Sequence, residues 1–444
     1  MTGVHERHVT RHARDTAVIE RSRHAGIVRC MGTSMTDDEL VVERIRQVSR
    51  PLRIAVVTET WPPEVNGVAT SLSRVVGGLG ARGHEVQLVR PRQPAVDVVA
   101  AASGFDEVLT RSLPVPRHPG LRFGVPARRR LVRLWSLQRP DVVHLATEGP
   151  LGWSALRVAR HLKLPVSSDF RTNFHTYADH YGAGWLRAPV AAYLRRFHNL
   201  ADATMVPTES LRRELEATGV LRLTVVGRGV DRALFDPARR DPGLRARWGA
   251  APDDLVVAAV GRLAPEKNLD TVGLAFAAVR AVVPRARLLV VGDGPLAGRL
   301  RTEWPDAIFA GARRGTDLAA HYASADLFLF ASLTETFGNV TTEAMASGLP
   351  VIAYDYAAAA SVIEHGCDGL RIPFGDRAGF VASAVHLATD PALRRRLGER
   401  ARVASANFGW DAIVTRVESL LRGVCANAEA ALEARDPHAS PARP

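Results

Sequence analysis

Two stretches of this 444-residue chain open alike, and that likeness constrains the fold more than any other feature. RIAVVTETWPPEVNGVATSLSRVVGGLGARGHEVQLV begins at residue 53, and LVVAAVGRLAPEKNLDTVGLAFAAVRAVVPRARLLVVG begins at residue 255. Each reads as an apolar strand, a polar loop, a helix and a second apolar strand. More short strands follow in each half: DVVHLA (141–146), PVSSDF (165–170), ATMVP (203–207) and LTVVG (223–227), then AIFAG (307–311), DLFLF (326–330) and PVIAY (350–354). Strands apolar on both faces and separated by helices predict parallel sheets covered on both sides. The fold class is therefore α/β, with two Rossmann-like domains that bind ligands at the carboxyl ends of their strands.

The pattern sets the boundaries. Residues 1–50 show no sustained period and are expected to be a disordered basic extension. A first Rossmann-like domain is expected at 51–227 and a linker at 228–253, where Gly, Pro and Asp accumulate. A second domain is expected at 254–422, its last helices placed to pack back on the first, and a loose tail at 423–444. No apolar run approaches the ~20 residues that span a bilayer, and the N-terminus lacks an uninterrupted apolar segment, so a cytoplasmic protein is expected. The three cysteines, Cys30, Cys367 and Cys425, form neither a disulfide framework nor a metal-ligand spacing.

The net charge of +12 suits nucleic acid, an anionic membrane surface or phosphate-bearing substrates. No basic run is interleaved with aromatics, which argues against nucleic acid. The first half lacks a glycine fingerprint with an acidic ribose ligand, which argues against a nicotinamide dehydrogenase. Of the 58 basic residues only Lys163 and Lys267 are lysines. In a chain so biased toward Arg, a retained Lys suggests a place that needs a compact, flexible ammonium.

Lys267 stands with Arg262 in GRLAPEKN, the loop leaving the first strand of the second half. Two cations at such a strand end suit a diphosphate, Arg by a forked contact and Lys as a movable point charge. Further on, SLTETFGNVTTEAMASG carries Glu335 and Glu343. Glu335 is placed in the loop above the strand end and Glu343 in an early turn of the following helix. Between them, the amides near Phe337, Gly338 and Asn339 can face an anion or sugar oxygens at the positive helix end. A carboxylate accepts from two hydroxyls at once, so the pair can grip a sugar and a ribose. A glycosidase would instead use such a pair as acid and nucleophile or base. A protein that binds nucleotide or sugar without turnover is the third reading.

GRLAPEKN, VVGDGPL, HYASADLFLFAS and the Glu-seven-residues-Glu stretch, in this order, resemble a retaining glycosyltransferase of family 4 with the GT-B fold, over roughly residues 53–422. The resemblance implies two Rossmann-like domains with parallel sheets facing a central cleft. It implies that Glu343 holds the nucleotide ribose, that Glu335 binds the donor sugar, and that Arg262 and Lys267 bind the diphosphate. TETWPPEVNGVATSL resembles the family's N-terminal glycine loop, which gives Gly67 the donor phosphates, although Asn66-Gly67 stands where two glycines are common. SDFRTNFHTYADHYG resembles the segment whose histidine, here His175, faces the reacting side of the sugar. No metal and no cofactor are implied. The nearest likeness is to bacterial mannosyltransferases that use GDP-mannose, with UDP-sugar-dependent glycolipid synthases as the alternative, and the acceptor is a lipid or a glycan. LRFGVPARRRLVRLW (121–135) has two readings, a solvated helix with a core-facing stripe or a dock for the anionic inner leaflet of the membrane.

Overall fold

The computed structural model describes residues 27–28, 46–47, 50–64, 67–93, 105–115, 118–171 and 187–434. The chain divides into a short unit, Met1–Leu52, and one compact unit, Arg53–Pro444. In the first, Ile27–Val28 pairs antiparallel with Arg46–Gln47; the rest of the expected basic extension lies outside the described residues.

The compact unit holds two parallel sheets. The first-half sheet contains β1 (Arg53–Val57), β2 (Glu85–Pro91), β3 (Asp106–Thr110), β6 (Val142–Leu145), β7 (Val166–Asp169), β8 (Ala203–Val206) and β9 (Leu223–Val225), in the order β9-β8-β7-β6-β1-β2-β3. Between β3 and β6, β4 (Ser112–Val115) and β5 (His118–Gly124) form an antiparallel pair. The helices α1 (Gly67–Ala81), α2 (Arg128–Leu137), α3 (Pro150–His161), α4 (Arg187–Asn199) and α5 (Glu209–Ala217) connect these strands. The second-half sheet runs β12-β11-β10-β13-β14-β15, made of β10 (Val256–Val260), β11 (Arg287–Val291), β12 (Ile308–Gly311), β13 (Leu327–Phe330), β14 (Val351–Tyr354) and β15 (Leu370–Ile372). Its helices are α7 (Leu269–Val282), α8 (Ala297–Glu303), α9 (Gly315–Ala323), α10 (Asn339–Ala346), α11 (Ala357–Val362), α12 (Arg377–Thr389) and α13 (Pro391–Ala404).

Strand periodicity divides the second half into two cores. Val256, Ala258, Leu289, Phe328 and Val351 feed one face, whereas Val257, Leu288, Leu327, Leu329 and Ile352 feed the other. Successive side chains point to opposite faces, so a strand wanted by both cores must be apolar throughout. In each sheet the first strand sits between partners reached in opposite directions: β1 lies between β6 and β2, and β10 between β11 and β13. Loops leaving such neighbours diverge and open a crevice at their carboxyl ends.

The connection over 228–253 is not slack. It carries α6 (Pro242–Arg247), and both Arg245 (3.0 Å) and Arg240 (2.8 Å) reach Asp326 at the start of β13. The last helix, α14 (Trp410–Glu433), packs on the first half. It runs past the boundary expected at 422, because Val424 and Cys425 continue the buried stripe of Ile413, Val414, Val417 and Leu421. Arg82 donates to Glu418 (3.0 Å) and Thr415 (2.8 Å), and His84 lies 3.2 Å from Glu418. The stretch 121–135 is also redrawn. Its first residues end β5, and only from Arg128 is it a helix.

Helix α1 approaches α14 at Gly78, where an added Cβ would lie 2.5 Å from Val414 Cγ2. Gly-to-Ala at an exposed helix position gains about 1 kcal/mol in propensity, and overpacking costs about 1–3 kcal/mol. The clash should win: Gly78→Ala is expected to lower the urea midpoint, and Val414→Ala in the same chain to restore part of it. An unchanged or raised midpoint in the single variant would contradict this packing.

Candidate active site in the cleft

The loop after β10 turns at Gly261 (φ 148°), passes Arg262 and makes one short 3-10 turn, Pro265–Lys267, before Asn268 in the left-handed region starts α7. The loop after β11 packs on it so closely that a Cβ on Gly292 (φ 142°) would overlap the Gly261 carbonyl. The VVGDGPL stretch thus supports the cation loop. The loop after β13 is tied to the same turn, since Leu333 N–H (2.9 Å) and Ser332 Oγ (3.3 Å) both donate to the Glu266 carbonyl. Two loops from neighbouring strands are thereby locked together.

Across that junction Lys267 Nζ is ion-paired with Glu335 and stands 5.8 Å from the centroid of the Phe330 ring. Arg262 is ion-paired with Glu266, its side chain half-exposed. Tyr356 hydroxyl donates to the Glu335 carbonyl at 3.3 Å. Gly338 (φ 95°) precedes α10, and a Cβ there would lie 3.4 Å from the Phe330 ring. A side chain would strain this turn and crowd the ring, so glycine leaves the start of α10 open.

These groups line a cavity of about 950 Å³. Of the residues singled out in the sequence, Arg262, Lys267, Glu335, Phe337, Gly338 and Asn339 lie on its second-half wall and Gly67, the first residue of α1, on the other. Glu343 is set apart on α10. Its Oε2 accepts the hydroxyl proton of buried Tyr322 at 3.0 Å, and burial raises its pKa to about 7 against the lowering effect of that bond. The two glutamates are therefore held by different partners, one by an ammonium and one by a phenol. His175 and Asn66 lie outside the described residues.

Sequence reasoning missed several groups. Glu266 neutralises Arg262. On the first-half wall Arg171, just past β7, and Arg228, at the start of the connection, line the cavity and share the buried carboxylate of Asp169. Burial alone would raise the Asp169 pKa; the two guanidiniums hold it at about 2. Burial lowers neighbouring His144 to about 4, so this imidazole is neutral at pH 7. The usable signal was a cation directly after a buried strand, the one that identified Arg262. Glu59, in the loop after β1, instead accepts Leu151 N–H (2.8 Å) at the start of α3. Among the described residues no cluster of His, Cys, Asp or Glu could hold a metal ion, and no helix is long and apolar enough to cross a membrane.

Two family models match the chain: Glycosyltransferase Family 4 over residues 65–234 and Glycosyl transferases group 1 over residues 254–390. A GDP-mannose-dependent alpha-mannosyltransferase of Mycolicibacterium smegmatis is 37% identical over 380 residues, covering 83% of this chain and 98% of that protein. An alpha-monoglucosyldiacylglycerol synthase of Streptococcus pneumoniae is 28% identical, covering 81% and 84%. Among solved structures, sucrose-phosphate synthase from Thermosynechococcus elongatus superposes with a TM-score of 0.67 at 21% identity, over 85% of this chain and all of that one. That likeness places both domains in the GT-B fold.

The raised pKa of Glu343 has a sign that can be tested. Its folded pKa of about 7 exceeds the ordinary 4.5, so the fold favours the protonated form and loses stability as pH rises from 4.5 through 7. Glu343→Gln removes that titration. The variant is expected to exceed the wild type by up to about 3 kcal/mol at pH 8 and to match it near pH 4.5. Equal denaturation curves for the two proteins at pH 8 would refute the assignment.

Proposed function

The chain belongs to glycosyltransferase family 4, and on that premise we propose that it is a retaining enzyme that moves mannose from GDP-mannose to a lipid or glycan acceptor. The observation that carries this reading is the convergence of Arg262, Lys267, Glu335 and the open start of α10 on one cavity. Both cations rest on carboxylates, and a donor diphosphate is a more highly charged partner for each. Lys267 passes from Glu335 to the diphosphate, which frees Glu335 to accept the sugar hydroxyls. Glu343, whose carboxyl is held by the Tyr322 hydroxyl, is assigned the ribose end on the resemblance of its stretch. Gly67, with no Cβ, lets the α1 backbone approach the phosphates from the other wall.

Transfer with retention then follows on one face of the sugar. The bond from the anomeric carbon to the leaving phosphate oxygen breaks, the acceptor oxygen bonds to that carbon on the same face, and the acceptor's proton passes to the departing phosphate. Arg262, Lys267 and the α10 amides stabilise the growing phosphate charge. His175 is assigned to the reacting side of the sugar on the resemblance of its stretch. A lipid acceptor draws support from the relative named for monoglucosyldiacylglycerol synthesis.

Docking at the inner leaflet of the cytoplasmic membrane would rest on charge alone. Leu131 and Trp135 of α2 are buried in the core, and Trp135 donates to Gln87 at 3.0 Å, so the apolar face of the helix is already used and Leu137 alone of its apolar residues stands exposed. Arg128, Arg129, Arg130 and Arg133 remain exposed. Each contributes about 1 kcal/mol near an anionic surface, and salt screens that attraction.

A panel of nucleotide sugars scored by mass-spectrometric transfer tests the reaction. GDP-mannose should give a mannosylated product, and Lys267→Ala should lower turnover by several orders of magnitude with the melting temperature kept. Unchanged turnover of that variant at saturating donor, or cleavage of aryl glycosides without nucleotide, would sink the proposal. Replacing the four exposed arginines of α2 with Glu should weaken sedimentation with anionic liposomes at low salt and leave donor hydrolysis near normal. Full sedimentation of the charge-reversed protein would remove α2 from the contact.

A further inference from the structure

We propose that Arg171 and Arg228 form an anion subsite on the first-half wall of the cleft, with Asp169 as the positioning residue that aims both guanidiniums. Each comes from a different part of the chain. Arg171 follows β7, Arg228 opens the connection between the halves, and both line the cavity whose opposite wall carries Arg262 and Lys267.

Their environment is built. Asp169 is 1% exposed and Arg171 7%. Arg171 Nη2 lies 2.6 Å from Asp169 Oδ2, and its Nη1 donates to Ser71 Oγ at 2.6 Å, which fastens it to the first turns of α1. Arg171 Nε is buried with no hydrogen-bond partner. Arg228 is held more loosely: its two nitrogens lie 3.3 and 3.2 Å from Asp169 in a forked contact, and its side chain is the more exposed of the two. It therefore has geometry to spare for a second acceptor. Its neighbour Gly227 comes within 3.8 Å of the Phe337 ring, counted from an added Cβ, so this cation stands beside the loop that opens α10.

The other charged groups facing the pair are few. Glu148, whose charge acts on Arg171, lies 3.3 Å from His198 Nε2, and His144 is neutral at pH 7. A clamp for the connection alone would need one arginine on one carboxylate. The second guanidinium, 11% exposed at the cavity wall, carries a desolvation penalty that its long contact to the shared carboxylate offsets in part and that an anion in the cavity would offset further. Guanidinium forks match phosphate and carboxylate oxygens, so the ligand chemistry is a doubly bonded oxyanion of this kind. Two sources offer it: the donor's diphosphate, or an acid group on the acceptor. The choice between them rests on the transferase reading above; the existence of the subsite does not.

Titrations with inorganic pyrophosphate and GDP separate these outcomes. In folded Arg228→Gln, pyrophosphate affinity should fall at least tenfold, with partial recovery in Arg228→Lys. Asp169→Asn, which keeps both guanidiniums, should reproduce the loss if it folds. A parallel tenfold loss for GDP identifies the donor diphosphate as the ligand. If GDP affinity is unchanged and only the pyrophosphate bound by GDP-saturated wild type disappears, the anion belongs to the acceptor. Wild type that binds pyrophosphate through Arg228 but never GDP keeps the subsite and removes the transferase reading. Affinities within twofold of wild type in Arg228→Gln, a change confined to its melting temperature, or a wild type that binds neither probe would overturn the subsite.

Discussion

A parallel strand buried on both faces can carry polar chemistry only at its ends. β10 and β13 are such strands, each feeding both second-half cores through alternate residues, so neither offers a side chain to solvent along its length. The charged groups that these two strands bring to the cavity, Arg262, Lys267 and Glu335, stand in the loops at their carboxyl ends. Because β10 and β13 are neighbours, the two loops meet, and the Lys267–Glu335 ion pair is the result. The first half obeys the same rule, with Arg171 leaving β7.

The cleft balances its own charges. Lys267 and Arg262 rest on Glu335 and Glu266, and Arg171 with Arg228 on Asp169. Buried or half-buried cations without counter-charges would carry desolvation penalties of several kcal/mol. Carboxylates that hold the cations avoid that penalty and keep the groups oriented. Glu343 is the exception. It faces a phenol, with no cation among the causes that set its pKa, and for that reason burial raises its pKa to about 7.

Legibility in the sequence followed the physics. Strands such as VVAAV and LFLF announced themselves because two cores demanded apolar residues at every position. β3, the β4–β5 pair and the three-residue β15 did not, being short, mixed in polarity or interrupted by Pro114 and Pro119. The second-half site was readable because its cations, glycines and glutamates stand in two compact stretches. The Asp169 cluster was not: PVSSDF reads as a strand, but nothing in it shows that Asp169 is buried, or that Ser167 and Ser168 are buried against His144 and His198. Its second arginine lies 59 residues away from Asp169 in sequence. Pairings such as Arg262 with Glu266 lie only four apart, yet whether they are partners or bystanders depends on a turn that spacing does not reveal.

The central claim is that the cations of the cleft exchange carboxylates for the donor's diphosphate. A crystal structure of the protein with GDP-mannose addresses it directly. The account predicts Lys267 Nζ within hydrogen-bond distance of a diphosphate oxygen, with Glu335 released onto the sugar hydroxyls. A donor bound elsewhere, or one bound in the cavity with the Lys267–Glu335 pair intact and the diphosphate distant from both, would contradict it.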